Sequence, residues 1–176
     1  LRPAKAGYHL YVSGHNAGAS AFFDELAAYA KSRKSVVPTM VHDQAQMLEA
    51  RHWLLYLNDE FTTQIALTNG PLYAEIEEAL QAGVHVLLIH ETRADKRGCT
   101  FKHIIDSTPK PLVSQDGTKR LYKEIALMIC GGDEMHPLVG PGLLNAGLHL
   151  VLNAIAVVPS ALAPRTTQLR DLLRYS

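Results

Sequence analysis

Residues 71–90 read PLYAEIEEALQAGVHVLLIH, and this run decides the fold. Pro71 suits a first helical position, where its missing N–H costs nothing and its fixed φ is already helical. Leu72, Ile76, Ala79 and Leu80 recur at helical spacing, so the pattern predicts a helix to Ala82 with one apolar stripe. Gly83 ends it by taking the left-handed conformation that other residues avoid. Val84–His90 follows as a strand, and the earlier run Trp53–Leu57 (WLLYL) is a strand that is apolar on both faces. Such a strand belongs in a parallel sheet covered by helices on both sides.

The same alternation extends toward the N-terminus. Tyr8–Ser13 reads as a strand, and Ala19 to Ser32 as a helix carrying Phe22, Phe23, Leu26 and Tyr29 on one side. Ser35–Met40 is a second strand, whose Pro38 lacks an N–H and points to an edge position or a strand end. Asp43 caps a short helix through Ala50. Trp53–Leu57 is a third strand, ended by Asn58 and Asp59, with a polar loop up to Pro71. Four close alternations of strand and helix give βαβ units. The expected fold is a flavodoxin-like three-layer α/β sandwich around a parallel sheet of four to five strands, with extra C-terminal helices.

Beyond His90 the pattern weakens. Thr92–Gly98 reads as a charged loop, Phe101–Ile105 as a short element of open type, and Pro109–Gly117 as loop. Lys119–Ile129 is predicted to be a helix with Leu121, Tyr122, Ile125 and Met128 on one stripe. Pro141 to Val158 and Thr166–Tyr175 are read as helices. Residues 1–135 form the expected α/β domain, and 136–176 a helical extension packed on it or leading to a missing neighbour.

Composition narrows the function classes. Seventeen basic and seventeen acidic residues cancel, so no polyanion-binding footprint points to nucleic acid. The nine histidines are scattered, without HExxH or zinc spacing, so no metal is expected. Cys99 and Cys130 cannot build a disulfide scaffold, which favours a reducing, cytoplasmic compartment. The apolar stretch from Gly142 to Val158 is broken by Asn145, His149 and Asn153 and is shorter than the roughly 20 residues of a membrane span. A packed helix is preferred there over membrane insertion. With no initiator Met and no leader, the N-terminus reads as a boundary within a longer protein.

In open parallel sheets ligands bind beyond the carboxyl ends of the strands. That selects Ser13–Ser20, Asn58–Pro71 with the following helix start, and His90–Arg97. Glu75 lies one turn into its helix beside the apolar stripe, a partly exposed charge at the rim of the crevice. As a surface acid near the positive helix end it needs no function. His15 and His90, at strand ends, are titratable candidates, while Cys99 has no activating pair and reads as inert. Trp53, Phe22 and Phe23 read as core.

At AEIEEALQAGVHVLLI the chain resembles a TIR domain, a family with a glutamate-bearing helix of the pattern W-x-x-x-E-[IL], then a glycine and an apolar strand. Glu75 falls on that glutamate. YHLYVSGHNAGAS is similar to the family's first strand and loop, and EARHWLLYLND to its third strand, so the resemblance spans Tyr8 to Ile129. Pro71 stands where catalytic members often have Trp, and Leu72 where many have Cys. VHDQAQMLEA is short and lacks the glycine-bearing loop that often drives contacts between members of the family.

The resemblance implies cleavage of NAD⁺, as substrate rather than cofactor, at the nicotinamide–ribose bond, with Glu75 as the catalytic carboxylate. Ser13, Gly14, Asn16 and Ser20 would then meet phosphate or ribose, and Tyr73 would pack on the nicotinamide. It equally implies a non-catalytic signalling module that self-associates or binds other TIR-like domains. Other fold-mates fit less well. A phosphorelay receiver needs an acidic pair that Ser13-Gly14-His15 lacks, although Asp59 sits near the phospho-acceptor position. An FMN site would use SGHNAGAS but shows no stacking aromatics, and no GxGxxG or GxxxxGK[ST] is present.

Overall fold

Alternation along β-strands sends successive side chains to opposite faces, and here both faces are apolar, so helices cover both. The computed structural model describes residues 8–115, 118–131 and 139–156. The elements are β1 (Tyr8–Tyr11), α1 (Ala19–Ser32), β2 (Met40–Val41), β3 (Ala50–Leu57), α2 (Asp59–Ile65), α3 (Pro71–Ala82) and β4 (Val86–Glu91). They continue with α4 (Phe101–Ser107), α5 (Lys110–Val113), the small ladder β5 (Ser114–Gln115) and β6 (Thr118–Lys119), β7 (Leu127–Ile129) and α6 (Gly140–Ala156).

Five strands form one parallel sheet in the order β2-β1-β3-β4-β7. This is the flavodoxin-like order, with its switch point between β1 and β3. Leu54 pairs with Leu87 and Tyr56 with Ile89 in the central ladder. One face buries Leu10, Leu54, Tyr56 and Ile89 against α1 and α6. The other buries Trp53, Leu55, Leu57 and Leu88 against Leu72, Ile76 and Ala79 of α3 and Ile104 of α4. Trp53, Phe22 and Phe23 are core, as expected.

The helix read at residues 71–82 has these same bounds, and Gly83 ends it at φ 71°. Asp43 accepts from Ala45 N–H at 3.0 Å and caps a 3₁₀ turn over Gln44–Glu49. The second strand is shorter than expected: only Met40 and Val41 pair, at the sheet edge, after Pro38. The loop read between Asn58 and Pro71 contains α2, which Asn58 caps through Phe61 N–H at 2.9 Å.

The helix expected over Lys119–Ile129 is not formed. A 3₁₀ turn covers Leu121–Lys123, and Leu127–Ile129 pairs with β4 as the fifth strand, Glu91 opposite Ile129. Leu121 and Ile129 are buried, whereas Ile125 is 91% exposed and Met128 56%. The apparent helical stripe was a coincidence of spacing, overridden by the open ladder edge of β4. Helix α6 packs on this strand at Gly147, where an added Cβ would lie 3.1 Å from Ile129 Cδ1. Among the described residues no helix is long and apolar enough to cross a membrane. The helix expected over Thr166–Tyr175 lies outside the described residues.

This placement gives an expected outcome in urea unfolding. Ile125→Lys and Met128→Lys should each change stability by about 0.5 kcal/mol or less, as exposed positions do. Ile129→Ala should cost about 2–5 kcal/mol, as core truncations do. Equal costs at all three positions would restore the helical reading.

Candidate functional site

The switch point opens because β1 stops at Tyr11 while β3 runs on to Leu57. Tyr56 of β3 is left without a strand partner on that side, and a buried backbone N–H or C=O must be paired. Asn16 supplies both groups. Its Oδ1 accepts from Tyr56 N–H at 2.7 Å and its Nδ2 donates to Tyr56 C=O at 2.9 Å. Ala17 N–H donates to Gln64 Oε1 at 3.2 Å, which ties the same loop to α2. Gly18 adopts φ 84°, and a Cβ there would sit 2.8 Å from Tyr56 Cε1, so the loop closes only on glycine.

Glu75 faces this loop. The residue is 4% exposed, its Oε2 is buried with no hydrogen-bond partner, and its Oε1 lies 3.8 Å from His15 Nε2. The expectation of a partly exposed charge is therefore corrected. The buried side of α3 is shifted from the stripe read from sequence: it holds Leu72, Glu75, Ile76 and Ala79, while Leu80 is only partly buried. Tyr11, 1% exposed, lies near both Glu75 and Ser13. Burial first, and then the charge of Glu75, push the Tyr11 phenol well above its ordinary value, while Ser13 opposes the rise. The Tyr11 ring rests on Trp53 with centroids 5.8 Å apart.

The structure thus gathers Ser13 and Glu75 around Tyr11 and His15. The other residues singled out from sequence are placed differently. Asn16 is buried with its amide spent on Tyr56, Gly14 is exposed with open space around it, and Ser20 is exposed in the first turn of α1. Tyr73 is two residues before Glu75, so it points to a different side of α3 and packs against the core.

A second polar cluster lies on the opposite face of the sheet. Glu91, fully buried at the end of β4, accepts from Tyr56 Oη at 2.6 Å. It also accepts from Arg93 Nε at 2.9 Å and Nη2 at 2.7 Å. Arg93 continues to Glu25 of α1 with bonds of 2.7 and 2.8 Å. Tyr56 is pushed far up by burial and then by Glu91, and Arg93 is also raised, its two carboxylate partners outweighing the opposite effect of burial. The loop read as solvated charge therefore supplies a buried cation, which the apolar-strand-then-acid run IHETR signals only weakly. Every donor in this cluster has its acceptor, which is the pattern of a structural tie.

His90 Nε2 bonds Cys99 C=O at 2.7 Å, and burial with Asp59 raises the Cys99 thiol, as befits an inert cysteine. Among the described residues no cluster of three or more His, Cys, Asp or Glu side chains could hold a metal.

The chain matches no family model, no curated protein and no solved structure. The site therefore stands on its own geometry.

Two outcomes follow. Arg93→Met should cost about 3–5 kcal/mol in urea unfolding, because it leaves the carboxylate of Glu91 buried without its cation. A loss under about 1 kcal/mol would mean water reaches Glu91. Stability should also fall as pH rises above about 10, where unfolded tyrosines ionise. The folded protein keeps its protons there, since Tyr122 is pushed up to about 12 by burial and Tyr11 and Tyr56 are raised further. The unfolded state then binds fewer protons and is favoured. Urea midpoints at pH 9, 10 and 11 should decline, and less steeply in Tyr56→Phe.

Proposed function

We propose that the chain is a TIR-like signalling domain that cleaves NAD⁺ at the nicotinamide–ribose bond, with Glu75 as the catalytic carboxylate. The observation that carries this reading is the carboxylate itself. Burying an acid with one oxygen unpartnered costs stability, and a protein keeps such a group where a ligand supplies the missing interaction. Glu75 stands beside the switch point, on the side of the sheet where this architecture binds ligands.

The reaction needs little more than that charge. As the C1′–N bond breaks, its electron pair leaves with nicotinamide and neutralises the pyridinium ring. The ribose becomes oxocarbenium-like, and a fixed carboxylate stabilises the positive charge as it develops. Water then bonds to C1′ and loses a proton, or, in a cyclising variant, an adenine ring nitrogen bonds to C1′ through its lone pair and the exocyclic amine gives up the proton. Exposed Gly14 is the residue of the first loop left to meet a phosphate or ribose hydroxyl, because the N–H groups of His15, Asn16 and Ala17 are already engaged. The side-chain amide of Asn16 is engaged as well.

The second reading is a non-catalytic module working by self-association, favoured by Ile125 and Met128, which are exposed beside and on the edge strand β7. Nicotinamide release from NAD⁺ by concentrated protein decides between the two. The enzyme reading expects release that falls at least about 100-fold in Glu75→Gln with the fold retained, the scale of losing one main electrostatic group. Silence of the wild type at concentrations where it self-associates would leave the interaction module.

A further inference from the structure

Two of the scattered histidines meet in the fold. We infer that His52 and His85 form a dyad that shares one proton and latches the end of α6 to the sheet, so that the hold on α6 follows pH. His52 lies in β3, and His85 directly precedes β4. Their Nδ1 atoms stand 2.8 Å apart, with the rings nearly perpendicular at 78°. His52, 1% exposed, reaches the carbonyl of Ile155 in α6 through Nε2 at 3.3 Å. His85, nearer the surface, meets Glu124 Oε2 through Nε2 at 2.9 Å. A line of four groups thus runs from solvent to the buried end of a helix.

The charge of the pair follows from counting protons. A carbonyl and a carboxylate only accept, so both Nε2 atoms carry hydrogen. Two nitrogens at 2.8 Å hold one hydrogen between them. Four ring nitrogens therefore carry three protons, which makes the pair one imidazole and one imidazolium. A neutral pair has a proton too few, and the contact it loses first is the longest, to Ile155. A doubly charged pair has one too many and sets N–H against N–H. Ile155 lies in the last turn of α6, where helix carbonyls look outside the helix for donors and a cation is favoured.

Glu124 is the carboxylate bonded to the pair, and its neighbour Lys123 is exposed. In β1, Leu10 stands opposite His52, while His9 and Arg51 leave their strands on the other face because side chains alternate. His149 lies about 9 Å back along α6, at solvent. In the unfolded chain the two imidazoles take up protons independently around pH 6.5. Above that pH the folded pair keeps a proton that the unfolded chain has released, so stability falls as pH rises. Below it the folded pair refuses a second proton that the unfolded chain takes up, so stability falls as pH drops. The latch is tightest between the two, and it does not depend on the NAD⁺ reading.

The test compares the full chain with His85→Gln from about pH 4.5 to about pH 8.5, on either side of the ordinary histidine range. In urea, the midpoint difference between wild type and variant should peak near about pH 6.5 and shrink on both sides. A difference that grows steadily toward acid would make this a plain ion pair with Glu124. One that grows steadily toward base would make the pair neutral, and a flat one would make it a bystander. Each of the three overturns the shared proton. Hydrogen exchange of the wild type needs no variant to fold. Corrected for intrinsic pH dependence, amides of residues 152–156 should exchange slowest near about pH 6.5 and roughly tenfold faster at about pH 8.5, the scale of one buried hydrogen bond. In His85→Gln that dependence should vanish. Wild-type exchange at the α6 end that ignores pH would overturn the latch.

Discussion

The site depends on one side chain behaving like a piece of strand. β1 has four residues against the eight of β3, and beyond Tyr11 the backbone of β3 has no strand neighbour on that side. Asn16 fills the gap by presenting an acceptor and a donor to Tyr56, as a paired strand residue would. Two buried hydrogen bonds, each worth about 1 kcal/mol net, understate the effect. Without Asn16 two buried backbone groups would be orphaned, and the loop carrying Ser13, Gly14 and His15 would have no fixed height above the sheet. The hydrogen bond from Ala17 to Gln64 and the contact of Gly18 with Tyr56 then leave that loop a single path.

Around this anchor the two faces of the sheet handle buried charge in opposite ways. On the α1 face, Arg93 meets two carboxylates and Tyr56 caps one of them, so each donor and acceptor is matched. Such a network fixes geometry and leaves little free for a ligand. On the α3 face, Glu75 has hydroxyls and an imidazole nearby but keeps one oxygen without a partner. Both clusters lie at the carboxyl ends of strands, where the fold places ligand sites, so position alone does not distinguish them. Satisfaction does. A complete network is evidence of structure, and an incomplete one in a packed interior calls for an explanation.

Much of the fold was legible because local signals agreed with the global arrangement. The run from Pro71 to His90 carries its own start, stripe, stop and strand, and tertiary contacts only confirm it. Lys119–Ile129 failed because periodicity over eleven residues cannot see that β4 has an unpaired edge. A weak helical pattern yields to the hydrogen bonds a fifth strand gains. α2 was missed although Asn58, Asp59 and Glu60 form a start signal, since the segment is brief and its apolar pattern short. Within the site, the position of Glu75 was readable and its burial was not. The pattern gives the direction of a side chain around a helix but not how far the neighbouring loop closes over it.

Asn16 shows the same limit from the other side. In a polar loop, Ser, Gly, Asn and Ser look interchangeable as ligand-facing groups, and composition alone cannot rank them. Their roles separate once the strand lengths are known. An amide is the one side chain that offers a donor and an acceptor in the geometry of a peptide, so the asparagine goes to the broken ladder. The buried serine accepts from the backbone N–H of His15, and the glycine with open space around it remains for solvent or ligand. What the loop can bind is therefore set by what the fold has already claimed from it, and here β3 claims the amide and the backbone of the turn engages the hydroxyl.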